Sequence, residues 1–162
     1  GDSKIIIAKK YKKKNISDPD LGLVGQPKDI NKKLLLELIS KNIVPVIAPI
    51  GANSNGMKFN INADLTAGFI ASEIKARRLL MLTDVKGVIG KNKELLSELK
   101  LKDVNKLIAN EVIYGGMIPK VKTCIEAVKG GIRASVILDG RVKNAILKEL
   151  FSDKGIGTLF RK

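Results

Sequence analysis

The chain has 162 residues, 44% of them hydrophobic, with a net charge of +14, no histidine and a single cysteine, Cys124. That length and hydrophobic fraction suit one globular domain. Histidine-based metal sites, serine–histidine triads, cysteine zinc clusters and intrachain disulfides are excluded at once. No apolar run is long enough to span a bilayer, and the first residues show no secretory leader pattern. The expected location is therefore the cytoplasm or an organelle stroma, with no membrane partner.

The charge invites a nucleic-acid reading, which the composition disfavours. Only Arg77, Arg78, Arg133, Arg141 and Arg161 are arginine among the 30 basic residues. A Lys/Ile/Asn bias follows from AT-rich coding DNA as readily as from a binding surface. Aromatic residues make up 4% of the chain and tryptophan is absent, so base-stacking platforms are scarce. The densest basic run, from Lys9 to Lys14 around Tyr11, reads as a solvated strand end or loop.

In chain order, Ile5 to Ala8 predicts a strand, and Asn15 to Pro19 a turn-rich break. Asp20 to Gly25 predicts a second strand. Asp29 is placed to cap a helix bearing Ile30, Leu34, Leu35, Leu38 and Ile39, which Asn42 stops. Val44 to Ala48 predicts a buried strand, and Pro49, Gly51 and Gly56 a loop. Phe59 to Asp64 then brings Asn60, Asn62 and Asp64 together before a helical pattern at Ala67, Ile70, Ala71 and Ile74. Asp64 stands where an N-cap would stand. Polar groups at a helix mouth suit a small anion, because first-turn N–H groups carry partial positive charge. The same stretch also reads as a capped helix after two turn-forming asparagines.

Leu79 to Leu82 is apolar on both faces, as in the middle of a parallel sheet. It ends in the polar turn Thr83 to Val88, at the strand end where open α/β sheets bind ligands. Further helices are expected over Asp103–Glu111, after Gly115-Gly116 with Val121, Cys124, Ile125 and Val128 inward, and over Val142–Phe151. Ser135 to Leu138 and Gly155 to Phe160 read as strands. This alternation predicts an α/β fold with a mostly parallel sheet between helix layers. Nothing divides the chain, so residues 1–162 read as a single α/β domain.

Three polar clusters fall on one rim of such a sheet: Asn60–Asp64, Thr83–Val88 and Tyr114–Lys120. Gly115-Gly116 lets backbone approach a phosphate at a helix N-terminus. Lys120, in the first turn, opposes the helix dipole unless an anion lies between. A glycine turn with a surface lysine is the plainer alternative. Walker A and dinucleotide fingerprints are both absent. Thr83 and Asp84 suit ribose hydroxyls or a base edge, or simply a hydrogen-bonded turn. Cys124 lies on an apolar helix face and reads as core.

Together these stretches resemble the amino-acid kinase family, and within it the acetylglutamate kinases. The likeness rests on Asp20–Gly25, Val44–Gly51, Asn60–Asp64, Leu82–Val85, Gly115–Lys120, Asp139–Arg141 and Gly155–Thr158. It implies transfer of a phosphoryl group from ATP, with magnesium, to the γ-carboxylate of N-acetyl-L-glutamate, an early step of arginine biosynthesis. By motif, Asn60 and Asn62 would hold the acetylglutamate. Lys120 would stabilise the transferring phosphoryl group, and Asp64 would orient lysines. Thr83, Asp84, Val85, Gly87, Gly115, Gly116 and Met117 would contact the nucleotide.

The family's N-terminal half carries a strand-end lysine, a Gly-Gly loop and a substrate-binding arginine, none of which is matched here. The resemblance therefore implies the C-terminal, nucleotide-binding half, inactive alone, working in a homo-oligomer or with a complementing N-terminal half. The segment Glu149–Thr158 is similar to the arginine-binding end of feedback-inhibited members. It implies an arginine site including Glu149 and Gly155 in a full-length parent, although Lys143-Asn144 departs from the usual Pro-His. A non-catalytic nucleotide-binding or regulatory module is the alternative, with a basic nucleic-acid binder behind it.

Overall fold

The computed structural model describes residues 5–12 and 20–162; the expected break at 15–19 and the end of the lysine run lie outside them. The chain forms two compact units, Gly1–Ile74 and Lys75–Lys162.

In the first unit, β1 (Ile6–Lys10), β2 (Val24–Ile30), β3 (Ile50–Ala52) and β4 (Lys58–Ile61) close into a small barrel in the order β1-β2-β4-β3. Two helices complete it, α1 (Lys32–Ser40) and α2 (Ala63–Glu73). Strands β1 and β2 run antiparallel, with a register irregularity opposite Ile7/Ala8. Pro27 pairs there, where a break in the ladder tolerates a residue without an N–H. Ile6, Ala8, Phe59 and Ile61 fill the interior, with Ile5, Ile47 and Ile70 packed against them. So narrow a ring leaves little room: a β-carbon on Gly25 would lie 2.5 Å from that of Phe59.

Several expectations are corrected in this unit. The second strand begins at Val24 rather than Asp20 and runs on to Ile30. Asp29 is therefore a strand residue, its carboxylate accepting the Ile30 N–H at 2.8 Å. The α1 cap is Asn31, which accepts from the Leu34 N–H at 3.0 Å. Leu35 alone of α1 is fully buried. Asn42 does follow the helix end, at φ 55. Val44–Ala48 is not a strand: no described strand pairs with it, and Val44 and Val46 are 84% and 97% exposed. Gly51 lies in β3, not in a loop. On α2, Thr66, Gly68 and Ala71 are buried, while Ala67 faces out.

In the second unit, β5 (Arg78–Thr83), β7 (Ala134–Asp139), β8 (Thr158–Arg161) and β6 (Glu98–Lys100) form a sheet in that order. Pairing is parallel for β5 with β7 and for β6 with β8, and antiparallel between β7 and β8. Mixed sheets thus replace the single, mostly parallel one expected. Strand β7, buried at every residue, is the centre. Leu79–Leu82, expected mid-sheet, instead lies in β5 at one end of the described order, with Leu82 46% exposed.

Helices α3 (Leu101–Ala109), α4 (Met117–Lys129) and α5 (Ala145–Phe151) belong to this unit. Val121, Cys124, Ile125 and Val128 recur at i, i+3, i+4 and i+7, and α4 buries that face on the sheet. The Cys124 thiol lies 3.3 Å from the Met81 sulfur, and the Ser135 hydroxyl donates to the Cys124 carbonyl at 3.1 Å. On the opposite face, Val136 and Leu138 pack with Ala145, Val142, Ile156 and Leu159. The sheet therefore lies between helices, as the alternating pattern requires.

Candidate functional site

The second unit holds a cavity of about 620 Å³ at the C-terminal end of β5. Strand β5 delivers Thr83, after which the chain turns through Asp84, Val85 and Gly87 along one wall. The Ile89–Leu95 bridge folds the next residues into a hairpin, which adds Ile89, Gly90, Lys91 and Lys93. Asn110, Glu111, Val112 and Tyr114, between α3 and α4, form another wall. Gly116, Met117 and Lys120, from the start of α4, close the floor.

Backbone geometry explains the glycines here. Gly87 adopts φ +145, a conformation side chains disfavour, and stands against Thr158. The Thr158 hydroxyl accepts the buried Val88 N–H at 2.8 Å and so fixes the loop. Gly115 turns the chain into α4 at φ +53. A β-carbon on Gly116 would meet nothing within 4 Å, so backbone is bare to the cavity at the helix mouth. Pro119 sits in the first turn, where the missing N–H is tolerated. That turn holds no acidic residue.

The structure thus brings Thr83, Asp84, Val85, Gly87, Gly116, Met117 and Lys120 to one cavity, with Gly115 between two lining residues. Thr83 donates its hydroxyl to the Asp84 carboxylate at 3.1 Å. Sequence reasoning put Tyr114 at the edge of a polar cluster without giving it a role, and missed Ile89, Gly90, Lys91, Lys93 and Asn110–Val112. An available signal was the apolar pair Val88-Ile89 and the apolar pair Leu95-Leu96 flanking the five polar residues Gly90–Glu94, which spells a hairpin.

Behind this rim, Thr83 pairs with Asp139 across β5 and β7, and the Gly140 N–H donates to the Thr83 carbonyl at 2.8 Å. Arg141 grips the Asp139 carboxylate through Nε at 2.9 Å and Nη2 at 2.8 Å, and its backbone N–H donates at 3.0 Å. Hydrogen bonds from the Arg141 side chain and then its backbone hold the carboxyl down at about 2, with smaller help from the Arg141 and Lys86 charges.

Asn60, Asn62 and Asp64 lie in the first unit, where β4 leads into α2. The cap is Asn62, not Asp64: its side chain accepts the Leu65 N–H at 3.0 Å. The helix begins earlier than expected, leaving Asp64 inside the first turn, where its charge complements the dipole. Glu149 and Gly155 meet in the turn from α5 to β8. There Glu149 Oε2 accepts the Ile156 and Gly157 N–H groups at 2.7 and 3.1 Å. Neither residue lines the cavity.

Among the described residues no group of three or more carboxylates, thiols or imidazoles is placed to hold a metal. No described helix is long and apolar enough to cross a membrane.

The amino acid kinase family model matches residues 3–139. The chain belongs to the amino acid kinase family. Among curated proteins it is 54% identical over 143 residues to the acetylglutamate kinase of Pelagibacter ubique, covering 88% of this chain and 50% of that protein. To the acetylglutamate kinase of Rhodopseudomonas palustris it is 52% identical, covering 88% and 48%. The chain thus spans about half the length of the curated relatives it matches.

Solved amino acid kinase-like structures share the fold. N-acetylglutamate synthase from Neisseria gonorrhoeae, complexed with coenzyme A and L-arginine, aligns with a TM-score of 0.90 at 23% identity, covering 98% of this chain and 37% of that one. Carbamate kinase from Giardia lamblia bound to AMP-PNP aligns with a TM-score of 0.63 at 23% identity, covering 86% and 47%.

Proposed function

We propose that this chain is the nucleotide-binding portion of an acetylglutamate kinase, with residues 1–162 acting together as the C-terminal part of an amino acid kinase fold. The cavity lined by Thr83, Asp84, Val85, Gly87, Gly116, Met117 and Lys120 is the observation that carries this reading. It joins a strand-end polar turn to a glycine-opened helix N-terminus and a lysine, the chemistry a nucleoside triphosphate needs.

In the proposed reaction, a γ-carboxylate oxygen of N-acetyl-L-glutamate forms a bond to the γ-phosphorus of ATP. The bond from that phosphorus to the β,γ-bridging oxygen breaks, and its electron pair leaves with ADP. A carboxylate is ionised at neutral pH and needs no general base, so a chain without histidine suffices. Catalysis is then positioning and charge neutralisation. Lys120 and the Gly115–Met117 backbone face the phosphates. Asn60 and Asn62 hold the acceptor, and Asp64 orients lysines. Magnesium would enter with the ATP substrate, and its chemistry there would be to offset the charge of the phosphates. Glu149 and Gly155 form the candidate arginine turn. The working assembly is a homo-oligomer or a complex with a complementing N-terminal half.

The test mixes this chain with the N-terminal half of the Pelagibacter ubique acetylglutamate kinase and traps acyl phosphate with hydroxylamine. Product that requires ATP, acetylglutamate and both pieces, and that is lost in Lys120→Ala, is expected. The chain alone gives at most a trace. Magnesium–ATP binding without product under any mixture would favour a non-catalytic module. Ordinary turnover by the unaided chain would overturn the half-site reading. Polyanion binding that weakens steeply with salt, with no nucleotide binding, would favour the nucleic-acid alternative.

A further inference from the structure

Tyr114 has no part in the reaction described above, yet its placement is unusual for this chain. It is one of only two tyrosines in a chain without tryptophan, and it is 72% exposed. An aromatic ring left that open contributes little to the core. Its backbone, by contrast, is fixed: the Tyr114 carbonyl accepts the Met117 N–H at 3.2 Å, and Gly115 turns sharply at φ +53. The ring is thus carried on the shoulder of the glycine turn, and it lines the cavity.

The cavity has two chemical characters. Lys91, Lys93 and Lys120 offer positive charge, while Val85, Val88, Ile89, Val112 and Met117 offer apolar wall. A nucleotide has a matching division between its phosphates and its flat base. Aliphatic side chains can cover a base, but only an aromatic ring stacks on it face to face, and Tyr114 is the sole aromatic among the lining residues. We propose that Tyr114 stacks on the base of the bound nucleotide and sets a preference for the larger purine face. This rests on the nucleotide-binding reading above and adds a specificity-determining residue to it.

The chain's own fluorescence supplies a readout, because without tryptophan its emission comes from Tyr11 and Tyr114. Magnesium–ATP, magnesium–UTP and inorganic tripolyphosphate are titrated into the wild type, Tyr114→Phe and Tyr114→Ala, with calorimetry giving affinity where emission is lost. ATP is expected to quench the wild type and to bind more tightly than UTP. Tyr114→Ala should bind ATP about tenfold more weakly, in line with base stacking on aromatic side chains elsewhere. Tyr114→Phe should match the wild type, and tripolyphosphate affinity should be the same in all three.

Unchanged ATP affinity in Tyr114→Ala, with ATP still binding the wild type, overturns this proposal and leaves the nucleotide site standing. So does equal weakening in Tyr114→Phe, which would assign the contact to the hydroxyl. Equal loss for tripolyphosphate also overturns it, since that points to a general disturbance of the turn. Failure of the wild type to bind any nucleotide overturns both readings together.

Discussion

Gly87 packs so closely on Thr158 that a β-carbon at position 87 would come within 2.5 Å of the Thr158 hydroxyl oxygen. That hydroxyl accepts the Val88 N–H at 2.8 Å, so one contact ties the cavity loop to the start of β8. Gly87→Ala combines a crowded β-carbon with a disfavoured φ of +145. It should cost about 1–3 kcal/mol, as overpacking usually does, and weaken magnesium–ATP binding. Thr158→Val keeps the shape but orphans a buried N–H, at a cost of about 1–3 kcal/mol. Urea unfolding curves of the two variants check both values.

Gly116 gives the opposite expectation. Its helical backbone angles, φ −65 and ψ −13, accept a side chain, and a β-carbon there meets nothing within 4 Å. Gly116→Ala should therefore change stability by no more than about 0.5 kcal/mol. If phosphate approaches bare backbone at this helix mouth, the added methyl weakens ATP by about tenfold, about 1.4 kcal/mol. Paired unfolding and binding titrations separate the two effects, and full ATP affinity in this variant would contradict the phosphate assignment.

Asp139 makes stability depend on acid pH. Its folded pKa, about 2, lies below that of an ordinary aspartate, so the unfolded chain takes up the proton first. The resulting stabilisation is fully present above about pH 4 and is lost as pH falls toward 2. Arg141→Met removes the cause named first, the side-chain hydrogen bonds. Carboxyl NMR titration should then return Asp139 toward the ordinary aspartate range. The variant's stability should fall less between pH 4 and 2 than the wild type's.

Glu149 tests whether the candidate arginine turn is also structural. The residue is 7% exposed, and its carboxylate accepts two backbone N–H groups. Glu149→Ala should cost about 1–3 kcal/mol through those unpaired donors. Glu149→Gln keeps a carbonyl oxygen and should recover most of it. Thermal unfolding of the pair, run with and without arginine, distinguishes lost ligand binding from a collapsed turn.

Leu35 and Val46 are both large, apolar and branched, and their sequence contexts look equally buried. Leu35 is 1% exposed and Val46 97%. Leu35→Ala should cost about 2–5 kcal/mol, whereas Val46→Ala should stay within about 0.5 kcal/mol. Equal losses would mean that residues 44–48 are packed in solution.

The sequence by itself determined what is local. The α4 face at Val121, Cys124, Ile125 and Val128 follows from a 3.6-residue period that needs no knowledge of its partner. Much of the cavity lining was legible because Thr83–Gly87 and Gly115–Lys120 are short motifs whose backbone demands are written in adjacent residues. Tertiary structure decided whatever depends on a distant neighbour. Val44–Ala48 has strand composition, but a strand exists only where another backbone completes its hydrogen bonds, and none described does so. Asn62 took the cap from Asp64 because helix α2 starts where β4 releases the chain, a point that barrel pairing sets. Lys91, Lys93 and Val112 became cavity residues only when a hairpin and an interhelix turn met the end of β5. A concave wall is a relation between segments far apart in the chain, so residue order alone does not encode which side chains share it.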